Sequence, residues 1–418
     1  MQAPVRIEHR AQLIYLLTEA AELEHGIMCS YLFAAFSIKR DVEEGVTEEQ
    51  LDIIRRWRGT VLQIATQEMV HMSLACNLLT AVGGAPHLNR PNLPTSPRAY
   101  PASFRLELTP FCRETLENFV FIERPEVQER ADSEATSPGE FFLPETKLSD
   151  IFSGERQYQT VGHLYRGIED GLNYLAEKLG EQQLFIGPPK SQIADAYFSL
   201  PGLLPVTDLE SAVAAIQVIV EQGEGARNDN EESHYRRFLA MLEEYDRILS
   251  DDPEFEPGRP VMENPYAMFP TDIGDHSRLN LIEDPLSMDI CNLFDGSYQL
   301  LMQMLGRVLL HTDESEEQLT LLSDITVGLM VDVLGPLGTT LTTRPAGASH
   351  SGLTAGPSFR LSRDIHSLPH HSAAWALFTE RLRELSAYCG FLQAEGDVSA
   401  VLTRVRGSLD QYAGQLNE

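Results

Sequence analysis

The sequence predicts an all-α protein, in which a four-helix bundle with one long crossover is followed by a C-terminal helical region. Apolar residues recur at steps of 3 or 4 through several long runs, which is the spacing of one face of an α-helix. Glycines at positions 45, 83 and 84 mark the turns that bound the first two runs. Nine of the 24 prolines fall between residues 84 and 156, so this stretch is predicted to be the irregular crossover.

The first predicted helix covers residues 8–40, and its apolar stripe contains a carboxylate, Glu24. Glu22 and His25 lie on either side of that stripe. We interpret Glu22 as solvated and His25 as a partner that supports a site residue. A buried carboxylate costs free energy unless it is paired, protonated or metal-bound, so Glu24 is a candidate site residue.

The second predicted helix, residues 47–82, carries Glu68 and His71 on its apolar stripe. Side chains three residues apart lie about 60° apart around a helix and one turn apart along it, so this pair can bind one metal ion. About two such acid-x-x-His spacings are expected from the composition alone. Burial, rather than the number of such spacings, therefore supports the assignment. The three spacings are Glu22/His25, Glu68/His71 and Glu231/His234.

The crossover, residues 84–156, is predicted to contain one short helix at 110–122. A loop of this length is often a functional cover, but it can equally be a static connection between two antiparallel helix pairs. Helix three, residues 156–180, has no acid at the centre of its stripe. Glu169 lies on the shoulder of the stripe, and His163 points away from it.

The fourth predicted helix has a body at 209–220 and is interrupted by the Gly-Glu-Gly run around Glu224. It is predicted to restart at Asp229 or Asn230, with Glu231 and His234 facing inward. A break beside an inward Glu/His pair suggests that the helix is strained or changes direction at a functional site.

These residues match the ligand pattern of a ferritin-like four-helix bundle, in which carboxylates and two Glu-x-x-His pairs project into the core. Carboxylates with imidazoles favour Fe or Mn, and Zn less, since zinc prefers four ligands. The alternative is a metal-free bundle whose inward Glu and His side chains satisfy each other by hydrogen bonds.

The remainder of the chain is predicted to be a linker at 251–280 and a C-terminal helical domain at 281–418. Helices are expected at 284–311, 316–341 and 373–391, with a Gly/Ser/Thr/Pro-rich insert at 342–358. Three histidines near a helix-breaking Pro369 are interpreted as loop or surface residues, because no acids converge on them. They are His366, His370 and His371.

The net charge of −30 and a pI near 4.7 predict a surface that repels nucleic acid and anionic membranes. Five scattered cysteines without a CxxC fit a reducing cytoplasm. The N-terminal residues lack a secretory pattern, and no run reaches the ~20 apolar residues of a membrane span. We therefore expect a cytoplasmic protein whose partner is a small-molecule substrate, with a homo-oligomer allowed.

Four motifs occur in the predicted bundle: ELEHGIMCSYLFA at 22–34, EMVH at 68–71, GHLYRGIE at 162–169, and EQGEG at 221–225 followed by SHY at 233–235. Together they resemble the ferritin-like domain of the iminophenyl-pyruvate dimer synthases, which couple two oxidised tryptophan-derived units. The resemblance covers residues 8–250, whereas the full dimer synthase is much longer than this chain.

The resemblance implies metal ligands at Glu24, Glu68, His71 and His234. It makes Glu224 a rival to Glu231 on the fourth helix and places His163 at the matching position of helix three, where the apolar stripe favours Glu169 instead. We expect a di-iron oxidoreductase of secondary metabolism that activates O₂ or peroxide on a small, amino-acid-derived substrate. The alternative is a metal-free or mononuclear-metal bundle that binds a metabolite or protein partner without redox chemistry.

Overall fold

Helices account for most of the regular structure in the computed structural model of this chain. The residues described are 5, 7–95, 106–125, 158–193, 198, 200–225, 232–267, 280–310, 313–366, 368–393 and 398–417. The helices of the N-terminal part are α1 (Arg10–Ser37), α2 (Glu48–Ala81), α3 (Arg113–Ile122), α4 (Val161–Leu179), α5 (Leu209–Gly223) and α6 (His234–Asp251). A two-residue parallel strand pair, β1 (Pro265–Tyr266) with β2 (Asn280–Leu281), follows.

The four-helix bundle consists of α1, α2, α4 and α5. The α1 and α2 helices are antiparallel. The start of α1 therefore lies beside the end of α2, where the Arg10 guanidinium donates a hydrogen bond to the carbonyl of Val82. The α4 helix packs on α1, and α5 packs on both α4 and α2. The prediction of an all-α bundle with a long crossover is confirmed.

The predicted fourth helix is in fact two helices. The α5 helix ends at Gly223, and α6 begins at His234, where the Ser233 hydroxyl accepts a hydrogen bond from the Arg236 N–H as an N-cap. Asp229 and Asn230, the predicted restart, lie outside the described residues. The short helix predicted in the crossover is α3, and it packs against α6.

The C-terminal helices pack around α7. They are α7 (Pro285–Leu310), α8 (Glu316–Gly328), a π-helical stretch at Leu329–Leu334, α9 (Gly335–Leu341), α10 (His371–Leu392) and α11 (Ser399–Gln415). One hydrophobic core runs through these helices and the bundle together. Within the predicted linker, Phe255 packs on Trp57 of α2, so its described part belongs to that core.

The residues that follow the insert, 359–366, fasten the C-terminal helices to the bundle. The side-chain amides of Asn89 and Asn92 each donate to and accept from the backbone of one of these residues, Ile365 and Leu361 respectively. Phe359 stacks on Phe36 of α1, with ring centroids 6.3 Å apart. This segment therefore covers one side of α1.

One stretch of the described helices, Glu316–Leu341, is long and apolar enough to cross a membrane. Half of its most apolar window is buried inside the protein, where Leu322, Ile325 and Leu329 join the hydrophobic core. That burial is typical of a core helix.

Candidate metal centre

Glu68 lies at the centre of a buried cluster of three side chains. Its Oε2 atom is 3.1 Å from Nδ1 of His71, and its Oε1 atom is 2.8 Å from Nδ1 of His234. The two imidazole rings face each other with centroids 5.3 Å apart. The ligand atoms of all three residues lie within 4.8 Å of one another, which is compact enough to hold a metal ion.

Two further carboxylates flank this cluster, one on each side. Glu24 of α1 has its Oε2 atom 3.9 Å from Nδ1 of His71. Glu123, which follows α3, has its Oε1 atom 3.7 Å from Nδ1 of His234, and it accepts a 2.5 Å hydrogen bond from the Tyr31 hydroxyl. Glu68 therefore lies between two half-sites, Glu24 with His71 and Glu123 with His234.

A fourth carboxylate, Glu224, closes the cavity from the end of α5. Its Oε1 atom accepts a 2.7 Å hydrogen bond from the backbone N–H of Gly162 in the first turn of α4. The cavity is lined by Glu24, Ile27, Glu68, His71, Glu123, Val161, Gly162, Tyr165, Ile219, Val220, Gly223 and Glu224. Its volume of about 10 Å³ is close to that of one water-sized sphere, so it fits ions rather than an aromatic substrate.

Gly162 allows Glu224 to approach α4, because a Cβ atom at position 162 would lie 2.1 Å from the Glu224 carboxylate. We expect Gly162→Ala to push that carboxylate out of the cavity, while alanine's better helix propensity keeps α4 folded. Metal affinity should fall at least several-fold in equilibrium titrations. Gly59→Ala is the matched control, since a Cβ atom there meets nothing within 4 Å. Wild-type affinity in G162A would show that Glu224 contributes nothing to binding.

The α4 helix contributes Tyr165 to the cavity instead of the two residues considered from the sequence. Among the described residues, neither His163 nor Glu169 lines the cavity. His163 is two positions from Tyr165 and so faces the other side of the helix, and Glu169 lies one full turn further along. Glu231, the rival of Glu224, lies outside the described residues.

His25 contacts a different group of residues and does not support the cluster around Glu68. Its Nε2 atom hydrogen-bonds the Tyr298 hydroxyl of α7, and that hydroxyl lies 3.3 Å from Sγ of Cys29 and from the Arg90 guanidinium. One residue along a helix turns the side chain by about 100°, which directs His25 away from the cavity that Glu24 lines. The expectation for His25 was therefore wrong. His366 and His370 are exposed, in agreement with the loop interpretation, whereas His371 is the half-buried first residue of α10 and packs on the ring of Trp375.

Sequence reasoning missed Glu123, although a usable signal was present. Leu116, Phe119 and Glu123 follow one another at steps of 3 and 4 through α3, and all three are buried. This is the same criterion that identified Glu68, a carboxylate on an apolar stripe. The helix predicted at 110–122 ends one residue before Glu123, so this carboxylate fell outside the predicted stripe.

The charges of the cluster shift the pKa values of its members. Burial alone would raise the pKa of Glu68, but the neighbouring imidazoles of His71 and His234 outweigh it and lower the pKa. Burial would lower the pKa of His234, yet the Glu68 and Glu123 carboxylates raise it to about 9. Burial, followed by repulsion from Glu68, raises the pKa of Glu24. Without a metal the site therefore holds protons that a bound cation would replace.

The residues present fit a metal centre better than a self-satisfied polar core. Three buried ligand atoms have no hydrogen-bond partner among the described residues: Glu24 Oε1, Glu68 Oε1 and His234 Nδ1. The last two are 2.8 Å apart, but the geometry between them is not that of a hydrogen bond. Unpaired buried polar atoms are costly, and a cation would satisfy all three.

Comparisons with known proteins found two named relatives that cover most of this chain. A 2-imino-3-(indol-3-yl)propanoate dimerase of Chromobacterium violaceum is 27% identical over an alignment 408 residues long, which covers 93% of this chain and 38% of the relative. A dichlorochromopyrrolate synthase of Lentzea aerocolonigenes is 28% identical over an alignment 415 residues long, which covers 91% of this chain and 39% of the relative. The chain thus spans less than two-fifths of the length of either protein.

A solved ferritin-like protein from Caulobacter vibrioides is also similar, with a TM-score of 0.49 and 18% identity over 86% of this chain and all of the other. The family model described as Ferritin-like matches residues 17–243, which are more than half of the chain. Together with the two named synthases, this match confirms the resemblance inferred from the motifs. The chain belongs to the Ferritin-like family.

Proposed function

We propose that this chain is an oxidoreductase of bacterial secondary metabolism. It would use a non-haem di-metal centre, most readily di-iron, to activate O₂ or peroxide toward a small substrate. The observation that supports this proposal best is the position of Glu68, one carboxylate shared by two buried half-sites. Each half-site adds one imidazole and one further carboxylate, which are ligands suited to iron or manganese.

The charges favour two divalent ions over one. Glu24, Glu68, Glu123 and Glu224 bring up to four negative charges into one buried place, and the Arg166 guanidinium, 3.8 Å from Oε2 of Glu224, offsets only part of the cost of burying them. Two divalent cations would balance four carboxylates while the imidazoles of His71 and His234 stay neutral. A single zinc ion with four ligands would leave some of these carboxylates without a counter-charge.

The chain's own residues would hold, orient and enclose the ions. The six side chains named above would be the ligands, and the Tyr31 hydroxyl would hold Glu123 in place by its hydrogen bond. Ile27, Val161 and Ile219 line the cavity with apolar surface, which would keep bulk water away. When bound, iron would supply Lewis acidity and electrons for oxygen chemistry.

The substrate class is proposed from the relatives' names. One relative is named for an indole-bearing 2-imino acid, and the other for a chlorinated chromopyrrolate. We propose a 2-imino acid derived from an aromatic amino acid. Because the enclosed cavity has room only for ions, such a substrate would react at the edge of the site or after a rearrangement of its walls.

Oxygen or peroxide consumption tests the proposal. Metal-free protein would be loaded with Fe²⁺ or with Zn²⁺, and each sample mixed with an indole-bearing 2-imino acid generated in place. We expect the substrate to stimulate consumption only in the iron-loaded sample, with coupled products detected by mass spectrometry. Equal rates in iron-loaded, zinc-loaded and metal-free protein would contradict it and favour a bundle that binds without redox chemistry.

A further inference from the structure

A glutamine and an arginine stand behind the imidazole of His234, on the side away from the cavity. The Nε2 atom of His234 lies 3.3 Å from Oε1 of Gln67. The same oxygen accepts a 2.9 Å hydrogen bond from the Arg237 guanidinium. Gln67 precedes Glu68 on α2, and Arg237 lies one turn after His234 on α6, so this contact joins the two helices that supply the central ligands.

Arg237 settles which atom of the Gln67 amide faces the imidazole. A guanidinium has only donors, so the amide atom that it contacts must be the acceptor oxygen. That oxygen can pair with the imidazole only if Nε2 of His234 is protonated and donates. In the neutral imidazole, Nδ1 is then the nitrogen that offers a lone pair, and it faces Glu68 at 2.8 Å.

We propose that Gln67, held by Arg237, is a positioning residue that fixes the His234 tautomer, so that Nδ1 is presented to the metal. The proposal rests on the metal centre proposed above and extends it to residues that bind no ion themselves. A metal-bound histidine normally donates its other N–H to an acceptor, and losing that acceptor typically costs 10–100-fold in metal affinity.

The second imidazole has the same arrangement. Nε2 of His71 lies 3.0 Å from Oε1 of Gln222 near the end of α5, while its Nδ1 faces Glu68. In both cases the acceptor behind the imidazole is an amide. A carboxylate there would bind the N–H more strongly and make the ligand nitrogen more basic.

The chain offers a matched control for Gln67. Gln63 lies one turn earlier on α2 and also accepts a hydrogen bond from Arg237, at 2.8 Å. Within the described residues Gln63 has no contact with an imidazole. Gln63→Leu therefore removes a contact to Arg237 without removing the acceptor behind His234.

The test is a titration of the metal-free, full-length protein with Co²⁺, followed by its visible spectrum, and with Zn²⁺ against a chelating dye. We expect Gln67→Leu to weaken binding 10–100-fold and change the Co²⁺ bands. Gln67→Glu should keep wild-type affinity or exceed it, and Gln63→Leu should match the wild type. Thermal unfolding without metal should be similar in all variants.

The outcomes separate the inference from the proposed function. Wild-type affinity and spectrum in Q67L, or a loss in Q67E as large as that in Q67L, would overturn the role of Gln67 while leaving the metal centre intact. Failure of the wild-type protein to bind either ion would overturn the metal centre, and this inference with it.

Discussion

Glu68→Ala is expected to abolish metal binding while leaving the helical content unchanged. Glu68 contacts both imidazoles and lies in both half-sites, so its removal takes a ligand from each ion at once. The substitution also removes the carboxylate that lies between the imidazoles of His71 and His234. The iron content after loading, measured by elemental analysis, should fall from about two ions per chain to near zero. Far-ultraviolet circular dichroism checks that the variant is folded.

Glu22→Ala is the control for this substitution. Glu22 also precedes a histidine by three residues, but its carboxylate pairs with His87 at 2.8 Å, and it does not line the cavity. Its removal should leave the metal content at the wild-type level. An unchanged metal content in E68A would show that Glu68 and its two histidines form only a structural hydrogen-bonded core.

Metal affinity is expected to rise steeply with pH up to about 9. The pKa of His234 is raised to about 9 in the metal-free protein, chiefly by the Glu68 carboxylate against the opposing effect of burial. Below that pH a metal ion must displace the proton, so each unit of pH costs about tenfold in apparent affinity. Between pH 6.5 and 8.5 the gain should be about 100-fold, measured by chelator competition with corrections for metal hydrolysis.

The same linkage predicts the response of stability. His234 stabilises the metal-free fold fully below pH 6.5, and this contribution is lost as the pH rises through 9. The metal-free and metal-loaded proteins should therefore diverge in thermal stability as the pH increases. Glu123→Gln removes one of the charges that raise the pKa of His234, so its affinity should stop rising at a lower pH than that of the wild type. A flat profile in the wild type would contradict proton displacement from His234.

The first two helices, α1 and α2, and the site residues on them could be predicted from the sequence. Glu24 and Glu68 could be identified because a carboxylate on an apolar stripe is unusual, and because α1 and α2 are regular helices over their whole length. His71 followed from its spacing to Glu68. For these residues the local helical period determines the direction of the side chain, so burial can be inferred without knowing the neighbours.

The residues supplied by tertiary contacts could not be placed in this way. The apolar stripe of α3 indicates that Glu123 is buried, but it reaches the cavity because α3 folds back onto α6, and no local pattern encodes that return. Glu224 depends on a close approach to Gly162, a glycine 62 positions away in the chain. Gln67 depends in the same way on α6, which places His234 and Arg237 beside it.

An anomalous-diffraction map collected at the iron absorption edge, from crystals of iron-loaded protein, tests the metal centre most directly. The map should contain two peaks in the cavity, one beside Glu24 and His71 and one beside His234 and Glu123, with Glu68 between them. An empty cavity, or peaks only at surface histidines such as His370, would contradict a buried site that binds two ions.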